Sequence, residues 1–208
     1  MDVHPPHGPI QTWKGFLVHL LTITVGLFIA LTLEAAVESM HHRHLVRDAR
    51  ANLRREIESN HALYAENVQN LELNRRQLAR DIEALRDLRS GKKLVKADLK
   101  WGWGWSSYRD AAWKTARDIG AVAYMDPDTI AGYALVYGQQ DYVNETAIAL
   151  IREESRAAAP LEVAMDPAQL LPSETEALLI RTAEIDQSIR SLESTMKSLN
   201  DFYERALH

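Results

Sequence analysis

The sequence predicts an all-α protein, in which an N-terminal transmembrane helix continues into an elongated helical hairpin or bundle of about four helices. Three observations predict it. Residues 16–33 read FLVHLLTITVGLFIALTL, with no formal charge apart from any protonated His19. Apolar residues then recur every seven at Ile57, Tyr64, Leu71, Leu78 and Leu85, and again at Leu178, Ile185, Leu192 and Leu199. Between Ser39 and Ser90 there is no glycine, and no proline follows the apolar run until Pro127. Seven-residue spacing places these side chains on one helix face.

The chain divides into a short tail, residues 1–15, a transmembrane helix, 16–37, and a helical domain, 38–208. The apolar run and its flank make about 22 residues, or ~33 Å of helix, which matches a bilayer core. Trp13 and Lys14 sit at one interface as an aromatic and a cationic anchor; Glu34 and Arg43 sit toward the other. A cleaved signal peptide would have a shorter apolar core behind a basic start. MDVHPPHGPIQTWK is hardly basic, so an uncleaved anchor is expected. Arginines 43, 47, 50, 54 and 55 outweigh Lys14, which favours a cytoplasmic helical domain. Thr22, Gly26 and Ala30 form a small-residue face that can bring two spans together as a homodimer.

The first soluble helix is expected to end at Arg89, before Ser-Gly-Lys-Lys. His61 and Arg75 interrupt its stripe. A short helix is expected over 107–120. A third starts at Asp126-Pro127, with Asp as N-cap and Pro in the first turn, and stops near Ala159 before Pro160. The stretch 160–172 holds three prolines and should be irregular. Pro172-Ser173-Glu174-Thr175-Glu176 opens the last helix as a capping box. Its stripe complements that of the first helix, and the two are expected to pair.

The 208 residues include no cysteine, so disulfides and thiolate chemistry are excluded. Net charge is −5, unevenly spread: residues 38–100 hold 14 Lys/Arg against 10 Asp/Glu, and residues 101–208 hold 9 against 17. Nucleic acid is not the expected partner. There is no glycine-rich phosphate loop, HExxH or GxSxG. Glu153-Glu154 reads as a solvated carboxylate pair. No catalytic residue, cofactor or metal site is expected. His41 and His44 have a spacing that a metal can bridge, but only Glu38 offers a third ligand.

The residues left for function are aromatic. Trp101-Gly-Trp103-Gly-Trp105 places three indoles on one side if the backbone is extended. Such faces stack on ligands or seat in a partner protein, and the plainest role is to plug the open end of the bundle. Trp113 joins this candidate surface, because Trp113, Ala116 and Gly120 fall near one helix face. Asn60, Asn67 and Asn74 recur at seven beside the apolar stripe; buried, they would fix helix register, but half-exposed positions are the expectation.

Two stretches carry a family resemblance. One is TVGLFIALTLEAAVE followed by LRREIESN at residues 53–60; the other is AWKTARDIGAVAYMD at residues 112–126 with Tyr133 to Gln140. Together they resemble a family of bacterial single-span membrane proteins with an α-helical soluble domain of unknown function. The resemblance covers about half of the chain, implies a bacterial inner-membrane location, and brings no catalytic residue. The expected role is a membrane-anchored scaffold or interaction protein. A single-span ligand sensor is the first alternative and a membrane-anchored enzyme the second.

Overall fold

The computed structural model describes residues 13–94, 99–164 and 166–207. Four α-helices follow one another: α1 (Trp13–Arg89), α2 (Ala111–Asp118), α3 (Pro127–Ala164) and α4 (Pro172–Leu207). Two 3-10 turns, Ala121–Tyr124 and Pro167–Gln169, flank α3, and no strand occurs among the described residues. The chain falls into two compact units, Met1–Asp48 and Ala49–His208.

In the first unit, the N-terminal part of α1 is one helix long and apolar enough to cross a membrane, with none of its apolar window buried by the protein. Its hydroxyls suit lipid. Thr22 donates to Val18 O (2.9 Å), Thr24 to Leu20 O (2.8 Å) and Thr32 to Phe28 O (2.9 Å), so none depends on water for a partner. Trp13 stacks on Phe16 at 5.7 Å. The tail before Trp13 lies outside the described residues.

In the second unit, three long helices bury seams that step by three and four residues. On α1 these are Leu53, Ile57, Asn60, Asn67, Leu71, Asn74, Leu78, Asp81 and Leu85, with Tyr64 half-buried between Asn60 and Asn67. On α3, Val136, Val143, Leu150 and Ala157 alternate with Gln140, Ala147, Glu154 and Leu161. On α4, Leu178, Ile185, Leu192 and Leu199 alternate with Thr175, Thr182, Ile189, Met196 and Tyr203. The regular step keeps each seam facing its neighbours along the helix.

Hydrogen bonds fix the directions. α1 and α4 run antiparallel, joined by His61 to Asn200 (3.0 Å), Arg75 to both carboxylate oxygens of Glu193 (3.0 Å each) and Arg89 to Glu176 (3.0 Å). His61 and Arg75, which interrupt the stripe in sequence, are thus its polar links to α4. α3 runs parallel to α1, tied by Arg50 to Thr129 (3.5 Å), Glu56 to Tyr137 (2.9 Å) and Asn60 to Gln140 (3.2 Å). α3 and α4 also pack closely along their length, so the last helix pairs with both α1 and α3.

Helix ends follow local chemistry, with three departures. α1 stops at Arg89, where Gly91 (φ 86°) donates to Leu88 O at 2.9 Å. α2 begins at Ala111 rather than Ser107, and Gly120 (φ 75°) closes it. α3 continues through Pro160 to Ala164, because a proline inside a long packed helix forfeits one hydrogen bond while its neighbours Ala157 and Leu161 remain buried. The capping box of α4 forms between Glu174 and the Leu171 N–H (2.8 Å), not through Ser173.

Leu71 and Leu192 are almost fully buried on facing seams. Leu71→Asp and Leu192→Asp each place a carboxylate in that core and should cost about 4 kcal/mol or more. Circular dichroism melting of the full chain in detergent is the check. Retention of the wild-type melting temperature by either variant would contradict this packing.

Candidate functional site: an extended segment clasped between two helices

Residues 99–110 return along α1 as extended chain rather than as helix. The odd side chains Leu99, Trp101, Trp103 and Trp105 turn inward to partial burial, while Lys100, Gly102 and Gly104 face out. All three indoles therefore lie on one side, as the alternation predicts. Gly102 is at φ 108°, a region open to glycine and strained for other residues. A Cβ on Gly104 would meet the Asn70 amide at 3.6 Å, an ordinary van der Waals contact.

What holds the segment is a row of side-chain amides. Asn60 Nδ2 donates to Arg109 O (2.7 Å), and its Oδ1 accepts from Arg109 N (2.9 Å). Asn67 does the same to Ser106, donating to its carbonyl at 2.8 Å and accepting from its N–H at 3.0 Å. From α3, Asn144 donates to Tyr108 O (3.1 Å) and accepts from Tyr108 N (3.0 Å) and the Trp105 indole (3.3 Å). Each amide presents one donor and one acceptor, as a neighbouring strand would. Asn60 and Asn67 are 0 % exposed and Asn74 is 5 % exposed, so the expectation of half-exposed asparagines is overturned. Asn60 and Asn67 are buried because the segment covers and satisfies them.

The same α1 seam continues to Asp81, whose Oδ1 accepts from Lys100 N at 3.2 Å. Asn74, between Asn67 and Asp81, has no hydrogen bond to the segment, and its Nδ2 is buried without a good partner. Beside it lies Glu154 of α3, 2 % exposed, with neither carboxylate oxygen in a well-formed hydrogen bond. Glu154 thus departs from the solvated pair read in the sequence; only Glu153 is exposed. Burial pushes the Glu154 carboxyl above its usual range, Asp81 adds like charge, and the Gly102 N–H and the Asn74 amide lie near enough to pull it partly back. Asp81 is raised too, mainly by burial, against the opposing Gln77, Lys100 N–H, Trp101 indole and Arg80.

At the other end, Glu56 of α1 accepts from Ala112 N through both oxygens (3.0 Å each) and from the Tyr137 hydroxyl (2.9 Å). Asp110 makes no side-chain cap on α2, so a carboxylate from another helix takes that place. Trp113 stacks on Tyr137 at 5.5 Å with planes 6° apart. An aromatic chain crosses the bundle from Trp103 to Trp105 (5.7 Å), Tyr108 (5.7 Å), Tyr203 (6.1 Å) and His61 (5.6 Å). Burial lifts the Tyr108 hydroxyl to about 12 and raises that of Tyr203 further.

The tryptophans therefore divide. Trp101 packs with Leu99 and Leu170 on the cluster Leu85, Leu161, Leu178 and Leu179, as a plug at that end of the bundle would. Trp103 and Trp105 do not cap an end; the segment carries them along the flank, because its backbone follows the asparagines. Trp113 belongs to a separate stack on α3. Among the anchor residues, Trp13 is exposed, as are Lys14, Glu34 and Arg43. Glu38 lies 4.0 Å from His42, and no group of three His, Asp or Glu suited to a metal occurs among the described residues.

Comparison with known proteins leaves the site to speak for itself. No family model, curated protein or solved structure matches the chain.

The residues that sequence reasoning missed are Asp81, Asn144, Glu154 and Glu56. The signal for Asp81 was present, since it is the next seven-residue step after Asn60, Asn67 and Asn74.

Two predictions follow from this geometry. Asn67→Ala strands the buried N–H and carbonyl of Ser106 and should cost about 2–4 kcal/mol; chemical denaturation with hydrogen exchange at 106–109 measures it. Glu154→Gln removes a carboxylate whose proton is held more tightly folded than unfolded. The wild-type contribution is fully present below the ordinary carboxylate range and is lost as pH rises through the raised folded value. Glu154→Gln should therefore raise Tm by about 2–4 °C at pH 7, and the gain should shrink toward pH 4, as thermal melts across that range would show.

Proposed function

We propose that the chain is a membrane-anchored helical scaffold whose bundle presents Trp103 and Trp105 to a partner protein. The observation that carries this reading is that the segment's backbone is fixed by amides at 106, 108 and 109 while both indoles remain partly exposed. Tryptophan buries large area at low cost in flexibility when its backbone is already ordered. The exposed apolar stretch at the N-terminus of α1 supplies the anchor, which agrees with the internally bonded threonines. The resemblance to bacterial single-span proteins supports an inner-membrane location, and the arginines after the span support a cytoplasmic bundle. The face of Thr22, Gly26 and Ala30 supports pairing of two copies in the bilayer.

The test is a photo-reactive group at position 105 in cells, with crosslinked species identified by mass spectrometry. A defined partner is expected whose crosslink disappears in Trp103→Ala while helicity is retained. Crosslinks confined to the chain itself would remove the scaffold reading for this surface.

A further inference from the structure

The clasp has two chemically different halves. Ser106, Tyr108 and Arg109 are held by neutral amides, whose hydrogen bonds do not titrate. Lys100 is held by Asp81, and Gly102 lies against Glu154. Asp81 is 0 % exposed, and its Oδ2 and both Glu154 oxygens lack a well-formed hydrogen bond. Among the described residues, each neighbouring element brings groups to this space. α1 brings Asn74, Gln77 and Arg80; the segment brings the Lys100 N–H, the Trp101 indole and the Gly102 N–H; α3 brings Glu154 itself against Asp81. Arg80 is the one cation in this set, and it is exposed on the solvent side of α1. A proton held by this pair relieves the desolvation of one charge and the like-charge repulsion between the two.

The walls of the site differ in stiffness. α1 and α3 are long helices packed along their whole seams, whereas the third wall is a single extended chain with glycine at 102 and 104. If two like charges form in this desolvated space, water must enter, and the thin wall is the one that gives.

We infer that Asp81 and Glu154 form a proton-operated clasp on the Leu99–Gly104 stretch. With a proton on the pair, the stretch lies against α1 and α3. On loss of that proton the stretch lifts, while Ser106–Arg109 stays bound to its amides as a hinge. Trp101 and Trp103 then pass from the bundle to the surface. The clasp is a property of these two carboxylates and the segment, independent of whether any partner uses the indoles.

Hydrogen exchange with mass spectrometry tests it on the full chain in nanodiscs, from pH 4.5 to 8.5, after correction for intrinsic exchange. Protection of 100–104 should fall with rising pH by about tenfold more than that of 106–109. Glu154→Gln should flatten the difference, and Asp81→Asn should do the same while keeping an acceptor for Lys100 N–H. Parallel behaviour of the two halves in wild type would overturn the clasp. So would a persistent fall in Glu154→Gln, which is isosteric and gives up no well-formed hydrogen bond, and which decides the matter even if Asp81→Asn does not fold.

Discussion

The structure of the second unit depends on a match of two lengths. Seven residues of α-helix rise about 10.5 Å, and three residues of extended chain span about 10 Å. A polar side chain at every seventh position of a helix can therefore keep pace with every third residue of an extended chain beside it, where the chain twists enough to turn those N–H and C=O groups toward the helix. Here Asn60 meets Arg109, Asn67 meets Ser106 and, two heptads later, Asp81 meets Lys100. The small remaining difference accumulates along the row. It coincides with the gap at Asn74, opposite the stretch where Gly102 takes up φ 108°.

This match explains why the bundle has three long helices and not four. The segment lies between α1 and α3, bonded to both, and α2 is a helix of only eight residues that leads the chain toward α3. The two seams of α1 are accordingly of different kinds. Ile57, Leu71, Leu78 and Leu85 give hydrophobic burial, whereas Asn60, Asn67 and Asp81 bond to one strand in one register. Polar rows of this sort add less net stability than apolar ones would, but they penalise every other alignment, because a misplaced segment leaves buried amides unpaired. The amide pairings also link residues 36 to 49 apart, so the segment can order only after α1 and α3 are near each other.

How much was legible follows from the same distinction. The apolar steps of α1 and α4, the stop at Ser90-Gly91, the start at Asp126-Pro127 and the one-sided tryptophans are local patterns, and they were readable. So was the candidate anchor, from its uncharged run. The asparagines were not, since a polar residue beside a stripe looks the same whether water or a strand faces it. Glu154 was misread for a related reason. Its neighbour Glu153 points to solvent, and its own seam, Gln140, Ala147, Glu154 and Leu161, alternates polar with apolar. Pro160 was read as an end because proline breaks isolated helices, whereas here the packing of Ala157 and Leu161 outweighs one lost hydrogen bond.

The hydrogen bonds of Asn60, Asn67 and Asn144 to the segment go chiefly to its main chain, with the Trp105 indole bonded to Asn144 and the Tyr108 hydroxyl near Asn67. Side chains at Ser106 and Arg109 are therefore free to drift over evolutionary time with little effect on the clasp, while the number of residues between Lys100 and Arg109 is not. One added or deleted residue in that interval would break the pairing at one end of the row or the other, and would also turn the indoles to the opposite side. Length, more than identity, is the inherited property of this stretch.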